Sequence, residues 1–472
     1  MTIEITDLLV DRTTSLKTAM ERIDQNGRGI VFIVDDGELV GTTTDGDIRR
    51  GILDGIDLDA PVESVANRDP IVVHEDWSTE ERKRRVRTSS LDEILGEYGC
   101  LTVPVLNDDG EVKDVTLLDG QGTTVNGART TNGSVGTVLV IGGAGYIGSV
   151  LCRQLLERGI SVKVLDKLIY GDRGVTPLDD DDRFTLLEGD MRAIDDVMEA
   201  MAGVDAVVHL GALVGDPASA LDTRTTLELN YHSVKLAAHL CKYHQVNRFV
   251  FASTCSVYGE SEAGDLLTEE SPLNPVSLYA KTKIESERAL LDMADGTFSP
   301  TCLRMATIYG LSPRMRFDLV VNVLTAKATH ENVVPIFGGD QYRPNVHVAD
   351  AARAFIACLE APIDDVAAEV FNVGSSDQNY RIAELGRIVA DCVPDAEIEW
   401  HPENEDDRSY RVDFSKIGDV LDYDVSRTVA DGCREIHSAL RDGEFDDYTE
   451  ARYSNYKTLE ESIDGLGAPR AG

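Results

Sequence analysis

The apolar stretch that ends at Ile141 runs directly into Gly-Gly-Ala-Gly-Tyr-Ile-Gly (142–148), and an amphipathic helical pattern follows. Gly142, Gly145 and Gly148 form Gly-x-x-Gly-x-x-Gly at this junction. Glycine there permits a positive φ and a close backbone approach, and the helix behind it turns its positive end toward a phosphate. A chain of 472 residues with 40 glycines holds roughly 0.3 such patterns by chance. The weight of the motif therefore comes from the strand before it and the helix after it. Asp166 ends the next apolar run, 18 residues past Gly148. A carboxylate there accepts from a ribose diol and repels a 2′-phosphate, which selects NAD over NADP. Tyr146 and Ile147, inside the turn, are candidate cofactor contacts beside the three glycines.

Apolar strand patterns recur at 137–141, 161–165, 184–188, 206–210, 248–253 and 301–305, with helical patterns such as 147–158 and 227–244 between them. This alternation predicts an α/β fold: a doubly wound parallel sheet with helices on both faces. Beyond Gly310 the alternation loosens, as a smaller substrate-binding lobe would. The segment 121–136, rich in Gly, Thr, Asn and Ser, has linker composition. The expected organisation is a first module at 1–120, a linker at 121–136, a Rossmann domain at 137–310, a mainly substrate-binding lobe at 311–450 and a tail at 451–472.

Acidic residues number 84 and basic ones 45, a net charge of −39. There are 51 Asp and only 12 Lys, spread through every segment. A field of this sign repels a phosphate backbone and excludes nucleic-acid binding as the main task. It also strains the fold by self-repulsion unless salt screens it, which points to a halophile-type surface in a cytoplasm of molar salt. No apolar run approaches the roughly 20 residues of a membrane helix, and MTIEITDLLV lacks the basic start of a secretory signal. A cytoplasmic protein without membrane contact is expected. The eight cysteines include no Cys-x-x-Cys pair, so free thiols and no metal site are expected.

Tyr279 and Lys283 are spaced to share one helix face. A phenol near pKa 10 is a poor base at neutral pH, and a nearby ammonium lowers it. The pair thus makes a general base for an alcohol or sugar hydroxyl. With 15 Tyr and 12 Lys, chance supplies roughly 0.4 such pairs. Upstream, the strand 248–253 delivers Ser253-Thr254-Cys255-Ser256-Val257-Tyr258-Gly259 to the end of the sheet where doubly wound folds bind ligands.

Taken in this order, the glycine turn, the hydroxyl stretch and Tyr-x-x-x-Lys resemble an extended short-chain dehydrogenase/reductase of the nucleotide-sugar epimerase/dehydratase group, over about 137–440. The resemblance implies NAD as cofactor and a nucleotide sugar as substrate. It makes Thr254 the hydroxyl on the reacting sugar oxygen, Tyr279 the base and Lys283 the partner of the nicotinamide ribose. It places Asp190 and Met191 beside the adenine, and Leu210, Gly211 and Ala212, after His209, along the cofactor. Asn230 matches a structural Asn. Thr307, Asn322, Arg343 and Arg408 fall where the family meets its substrate, the two arginines suiting a diphosphate. The helices 227–244 and 277–291 match those of the family's dimer interface, so a homodimer is expected.

Departures narrow the reaction. The 4,6-dehydratase branch carries Asp-Glu after its catalytic Thr; here Cys255 and Ser256 stand there. The Glu of sugar-acid decarboxylases is absent too. The economical reading is 4-epimerisation through a transient 4-keto sugar, although Thr307 replaces the usual substrate-contacting Asn. Alternatives are a dehydratase or reductase of the same family, or a non-catalytic nucleotide sensor.

The first module repeats itself. Segments 29–50 and 100–120 each give an apolar strand, an Asp-Asp-Gly turn, a second strand and Thr-x-x-Asp. This resembles a tandem CBS-domain pair over 5–120. The resemblance makes Thr44 and Asp47, with Thr116 and Asp119, candidates for holding the ribose of an adenine nucleotide that could regulate the enzyme. Read from the residues alone, Thr44 and Asp47 equally suit a helix cap near 47. The basic cluster Arg82, Lys83, Arg84, Arg85 and Arg87 suits a solvated helix face better than a phosphate patch.

Overall fold

A computed structural model describes residues 5–26, 29–35, 37–53, 55–68, 70–74, 77, 100–107, 109–119, 124–125, 135–259, 266–402 and 408–462. The chain divides into two compact units, 1–133 and 134–472.

In the first unit, β1 (Leu9–Asp11) runs parallel to β2 (Ile30–Asp35), which pairs antiparallel with β3 (Glu38–Thr44). Likewise β4 (Val73–His74) runs parallel to β5 (Cys100–Leu106), which pairs antiparallel with β6 (Val112–Asp119). Each hairpin has an irregularity at the matching place, Ile33/Val34 and Val105/Leu106. Each turn has its glycine at positive φ, +93° at Gly37 and +80° at Gly110. The sequence repeat is thus a repeat of topology. β7 (Thr124–Val125) pairs with β6, so the sheet extends into the stretch expected to be linker. Leu16, Ala19, Val31, Ile33 and Ile48 pack as the core between the helices Leu16–Asn26 and Asp45–Leu53 and the first sheet. The basic cluster at 82–87 lies outside the described residues.

The second unit is built on β8 (Thr137–Ile141), β9 (Ser161–Asp166), β10 (Phe184–Glu188), β11 (Ala206–His209), β12 (Arg248–Thr254), β14 (Ser299–Met305) and β18 (Glu369–Val373). The short β13 (Leu266–Leu267), β15 (Thr307–Tyr309), β16 (Val333–Phe337) and β17 (Tyr342–His347) lie outside this sheet. The seven strands pair in parallel in the order β10-β9-β8-β11-β12-β14-β18. The order reverses beside β8, which opens a crevice at the strand ends there.

Side chains alternate across each strand. Val138, Val140, Ala206, Val208 and Val250 face one layer, with Leu151, Leu155 and Phe355 from the helices Tyr146–Glu157 and Val348–Glu360. Leu139, Ile141, Val207, Phe249 and Phe251 face the other, with Val197, Met201, Ala237 and Cys241 from Ile194–Met201 and Ser233–Tyr243. Burial on both faces explains why these strands read as continuous apolar runs.

The segment beyond Gly310 is not given over to one lobe. β18 returns to the large sheet from within it, where the expectation stopped the sheet at the sixth strand. The remainder packs the helices Val320–Glu331, Ile382–Cys392 and Val429–Arg441 around Val334, Ile336 and Leu385. The helix expected over 227–244 starts earlier, at Thr223, and passes through a π-turn at Glu228–His232 into Ser233–Tyr243. The turn holds buried Asn230, whose amide brackets the backbone of Leu213, accepting from its N–H at 2.8 Å and donating to its carbonyl at 3.0 Å. Among the described residues no helix is long and apolar enough to cross a membrane and no group of side chains could hold a metal, and the seven of eight cysteines whose side chains are described are free.

Candidate active site

Gly142 closes β8 at φ +83°, and a Cβ there would lie 2.6 Å from the Gly211 nitrogen. At Gly148 a Cβ would meet both Cα and carbonyl oxygen of Gly143 at 2.6 Å. The backbone is packed too tightly for any side chain at either point. Gly145 caps the helix Tyr146–Glu157 without a side chain, which leaves the helix start open to a cavity of about 440 Å³. Gly142, Gly145, Tyr146, Ile147, Gly148, Asp166, Asp190, Met191, Leu210, Gly211 and Ala212 all line this cavity. Asp166, at the end of β9, accepts from the backbone N–H of Ala144 at 3.0 Å and of Leu168 at 2.9 Å. Burial raises its pKa and those two bonds oppose the rise. Burial acts on Asp190 too, but hydrogen bonds from Arg192 and from Lys167, at 2.9 Å, hold its carboxyl well below the usual range.

Thr254, Tyr279 and Lys283 line the same cavity. β12 ends at Thr254, whose hydroxyl accepts from the Ser256 N–H at 3.1 Å and favours the ionised form of the Tyr279 phenol. Ser277 caps the helix Leu278–Asp292, accepting from the Ala280 N–H at 3.2 Å, and so sets Tyr279 in its first turn. Lys283 is buried one turn on; its Nζ donates to the Ala252 carbonyl at 2.7 Å and lies 5.9 Å from the centre of the Tyr279 ring. Burial outweighs the lowering of the Tyr279 pKa expected from Lys283. Burial pushes the phenol up, opposed by the Thr254 hydroxyl, and pulls the Lys283 ammonium down to about 7. Each charged form loses more hydration than its neighbour restores.

Of the residues expected at the substrate, Thr307 and Arg408 line the cavity. Arg408 is ion-paired with Asp216. Asn322 and Arg343 stand behind the wall instead. Asn322 is 0% exposed; it accepts from the Gly310 N–H at 3.0 Å and donates to the Tyr146 hydroxyl at 3.1 Å and the Arg316 carbonyl at 2.8 Å. A buried amide must satisfy its polar atoms, and Asn322 does so on the loop that carries Arg316. Arg343 donates to the carbonyls of Tyr342, at 2.8 Å, and Arg408, and lies over the Tyr410 ring. It supports Arg408 from behind.

Residues 138–374 match the NAD dependent epimerase/dehydratase family, and residues 3–54 match the CBS domain. The chain belongs to the NAD dependent epimerase/dehydratase family. The epimerase/dehydratase is 30% identical over 284 residues to a UDP-glucose 4-epimerase of Corynebacterium glutamicum, covering 56% of this chain and 81% of that one. It is 29% identical over 317 residues to a dTDP-glucose 4,6-dehydratase of Streptomyces niveus, covering 65% and 93%. It superposes with a TM-score of 0.59 and 25% identity on a UDP-glucuronic acid 4-epimerase of Bacillus cereus in complex with UDP-glucuronic acid and NAD, covering 65% and 99%.

NAD is the cofactor of this family, and two features of the epimerase/dehydratase fit it. One is the glycine cradle at the helix start. The other is Arg314, 6% exposed on the cavity wall, whose Nε and Nη2 have no protein partner. It stacks at 4.3 Å on Tyr170, whose buried hydroxyl is likewise unpartnered. Buried donors of this kind are costly alone and suit the oxygens of a dinucleotide. Burial, with Arg316 nearby, pulls the Arg314 guanidinium down to about 10. Sequence reading passed over Arg314, Arg316, Tyr170, Asp216 and Tyr410, all cavity-lining. The Arg-x-Arg at 314–316 was visible in the sequence, but only the fold carries it back to the glycine turn.

In the first unit, Thr44 and Asp47 bond one another. The Thr44 hydroxyl and N–H donate to Asp47 at 2.7 and 2.9 Å, and the Asp47 N–H donates to the Thr44 hydroxyl at 3.2 Å. Arg50 pairs with Asp47 at 2.6 Å. This starts the helix Asp45–Leu53, two residues before the expected start. Thr116 and Asp119 fall on β6; their side chains lie outside the described residues.

Proposed function

We propose that this enzyme is a nucleotide-sugar 4-epimerase. The observation that carries the reading is that Thr254, Tyr279 and Lys283 line the same cavity as the glycine turn of a dinucleotide cradle, with no carboxylate in the stretch after Thr254. Tyr279 takes the proton of the C4 hydroxyl, and Thr254 holds the same oxygen. Lys283, as a cation, favours the phenolate. When bound, NAD supplies the centre that takes a hydride from C4 and returns it. The 4-keto sugar presents its opposite face, and Tyr279 gives the proton back. Cys255 supports no elimination chemistry: its thiol donates to the Arg304 carbonyl at 3.1 Å, and burial pushes its pKa up. Asp216 and Asp318 line the cavity but are ion-paired with Arg408 and Arg316. Arg408, with Arg343 behind it, suits the nucleoside diphosphate.

The same reading takes the enzyme as a homodimer across the helices Ser233–Tyr243 and Leu278–Asp292, in a cytoplasm of molar salt, with an adenine nucleotide acting on a CBS pair. Sedimentation of the full chain, its melting curve against KCl, and titration with AMP, ADP and ATP test these three.

The deciding experiment is an NMR assay in molar KCl with NAD. UDP-glucose, UDP-N-acetylglucosamine, UDP-glucuronate, GDP-mannose and dTDP-glucose are supplied separately. Inversion at C4 without net NADH is expected. A 4-keto product or steady cofactor consumption would overturn the reading in favour of a dehydratase or reductase.

A further inference from the structure

Next to Lys283 lies a buried ion pair that the reaction above does not use. Glu287 follows Lys283 by four residues on the helix Leu278–Asp292, so the two side chains share a face. The Glu287 carboxylate accepts from Arg304 at 2.7 Å through Nη2 and 3.1 Å through Nε, and from the Ser253 hydroxyl. Glu287 and Arg304 are 2% and 5% exposed. Arg304 also donates to the Tyr258 hydroxyl at 3.1 Å and the Glu269 carbonyl at 3.2 Å.

A buried pair of this kind stabilises a fold little more than apolar residues of equal volume. Its position calls for another reason, and two neighbours supply one. Ser253 precedes Thr254 on β12. Lys283 stands one turn back, its Nζ 4.5 Å from the centre of the Phe251 ring. The titratable groups facing that ammonium are Tyr279 and Glu287 from its own helix, His209 from β11 and Cys302 from β14. Burial holds His209 neutral, down to about 3, and pushes the Cys302 thiol well up. Tyr279 is pushed up as well. Of these four, Glu287, ion-paired with Arg304 at 2.7 Å, opposes the burial that draws Lys283 down.

We propose that Glu287 is a positioning residue, clamped by Arg304 so that its carboxylate keeps Lys283 a cation at neutral pH and ties the Thr254 strand end to the Tyr279 helix. The inference rests on the epimerase reading for what Lys283 does in turnover, and on the family alone for what it does at the cofactor.

The test is NAD affinity of the full chain, stripped of cofactor, by isothermal titration from about pH 6 to about pH 9, with turnover followed in parallel. Wild type, Glu287→Gln, Glu287→Asp and the double variant Glu287→Leu/Arg304→Leu are compared. Wild type should lose affinity as the pH climbs past about 7. In Glu287→Gln and the double variant the loss should set in lower by about one pH unit, a tenfold displacement in proton activity. Glu287→Asp should restore most of the difference. If Glu287→Gln leaves Arg304 unpaired and fails to fold, the double variant, which keeps neither charge, decides. A pair that only holds the fold would change the melting temperature and leave the midpoint in place. A folded double variant with the wild-type midpoint, or a wild-type affinity flat with pH, overturns the proposal. Absence of turnover on every sugar would sink the epimerase reading instead, and the NAD midpoint would still decide on Glu287.

Discussion

Thr44 with Asp47 in the first unit and Arg314 with Tyr170 in the second are both polar pairs beside a helix start, and they are treated in opposite ways. Thr44 and Asp47 spend their polar atoms on each other, with Arg50 on the outside. Arg314 and Tyr170 stack but leave Nε, Nη2 and the phenol oxygen without a protein partner. The first arrangement completes a helix. The second costs free energy in the protein by itself, and the cost is recovered when a ligand supplies acceptors. Polar groups that the fold leaves unsatisfied mark the ligand site better than polar groups that merely match a motif.

The comparison can be broken by experiment. The largest effect is expected within the cavity: Tyr279→Phe should lower turnover by about 10³-fold, the scale of a lost general base, with NAD still bound. Retained turnover would remove Tyr279 from the chemistry. Arg314→Met should weaken NAD by ~10–100-fold, the range of a lost charge-assisted bond, measured by titration or by cofactor retained on purification. The same variant without cofactor should melt no lower than wild type, because an unpartnered buried cation has gone. A lower melting temperature with unchanged NAD affinity would make Arg314 an ordinary structural residue and erase the contrast.

Lys283 sharpens the contrast through pH. Its folded pKa of about 7 lies below its ordinary 10.5. Between those values the unfolded chain binds the additional proton, so stability without cofactor rises with pH, by up to about 1.4 kcal/mol per unit. Below about 7 both states are protonated and this contribution is flat. Chemical denaturation at a series of pH values should show the rise in wild type and not in Lys283→Met. The smallest effect is expected at Thr44. Thr44→Ala should cost the first unit about 1 kcal/mol as a lost cap, read from the melting of that unit, and leave NAD affinity alone.

Thr254, Tyr279, Lys283 and the glycine turn were legible because each depends on local spacing: a strand end, a four-residue helical step, a turn between strand and helix. The doubly wound sheet was legible for the same reason, as its buried strands are short continuous apolar runs. Asn322 and Arg343 were assigned to the substrate by type and place in the sequence. Burial and hydrogen bonding, which only the assembled lobe sets, put them behind the wall. Arg314 and Tyr170 are 144 residues apart (314 − 170), and no local pattern pairs them. Glu287 with Arg304 went unread likewise, since the contact crosses from a helix to β14.

The return of β18 to the sheet has a consequence for how the chain folds. β14 ends at residue 305 and β18 at residue 373, so 373 − 305 = 68 residues must be made before the catalytic side of the sheet can close. At roughly 5–20 residues per second of synthesis, this takes roughly 3–14 s. Until then β14 is an unpaired edge of a buried, apolar strand, the kind of surface that recruits other chains. The parallel β14–β18 pairing is also non-local, and so slow. The nascent enzyme therefore passes through a stage in which its cofactor cradle is already spelled out but its seventh strand is not. That stage is where chaperone dependence and aggregation should concentrate.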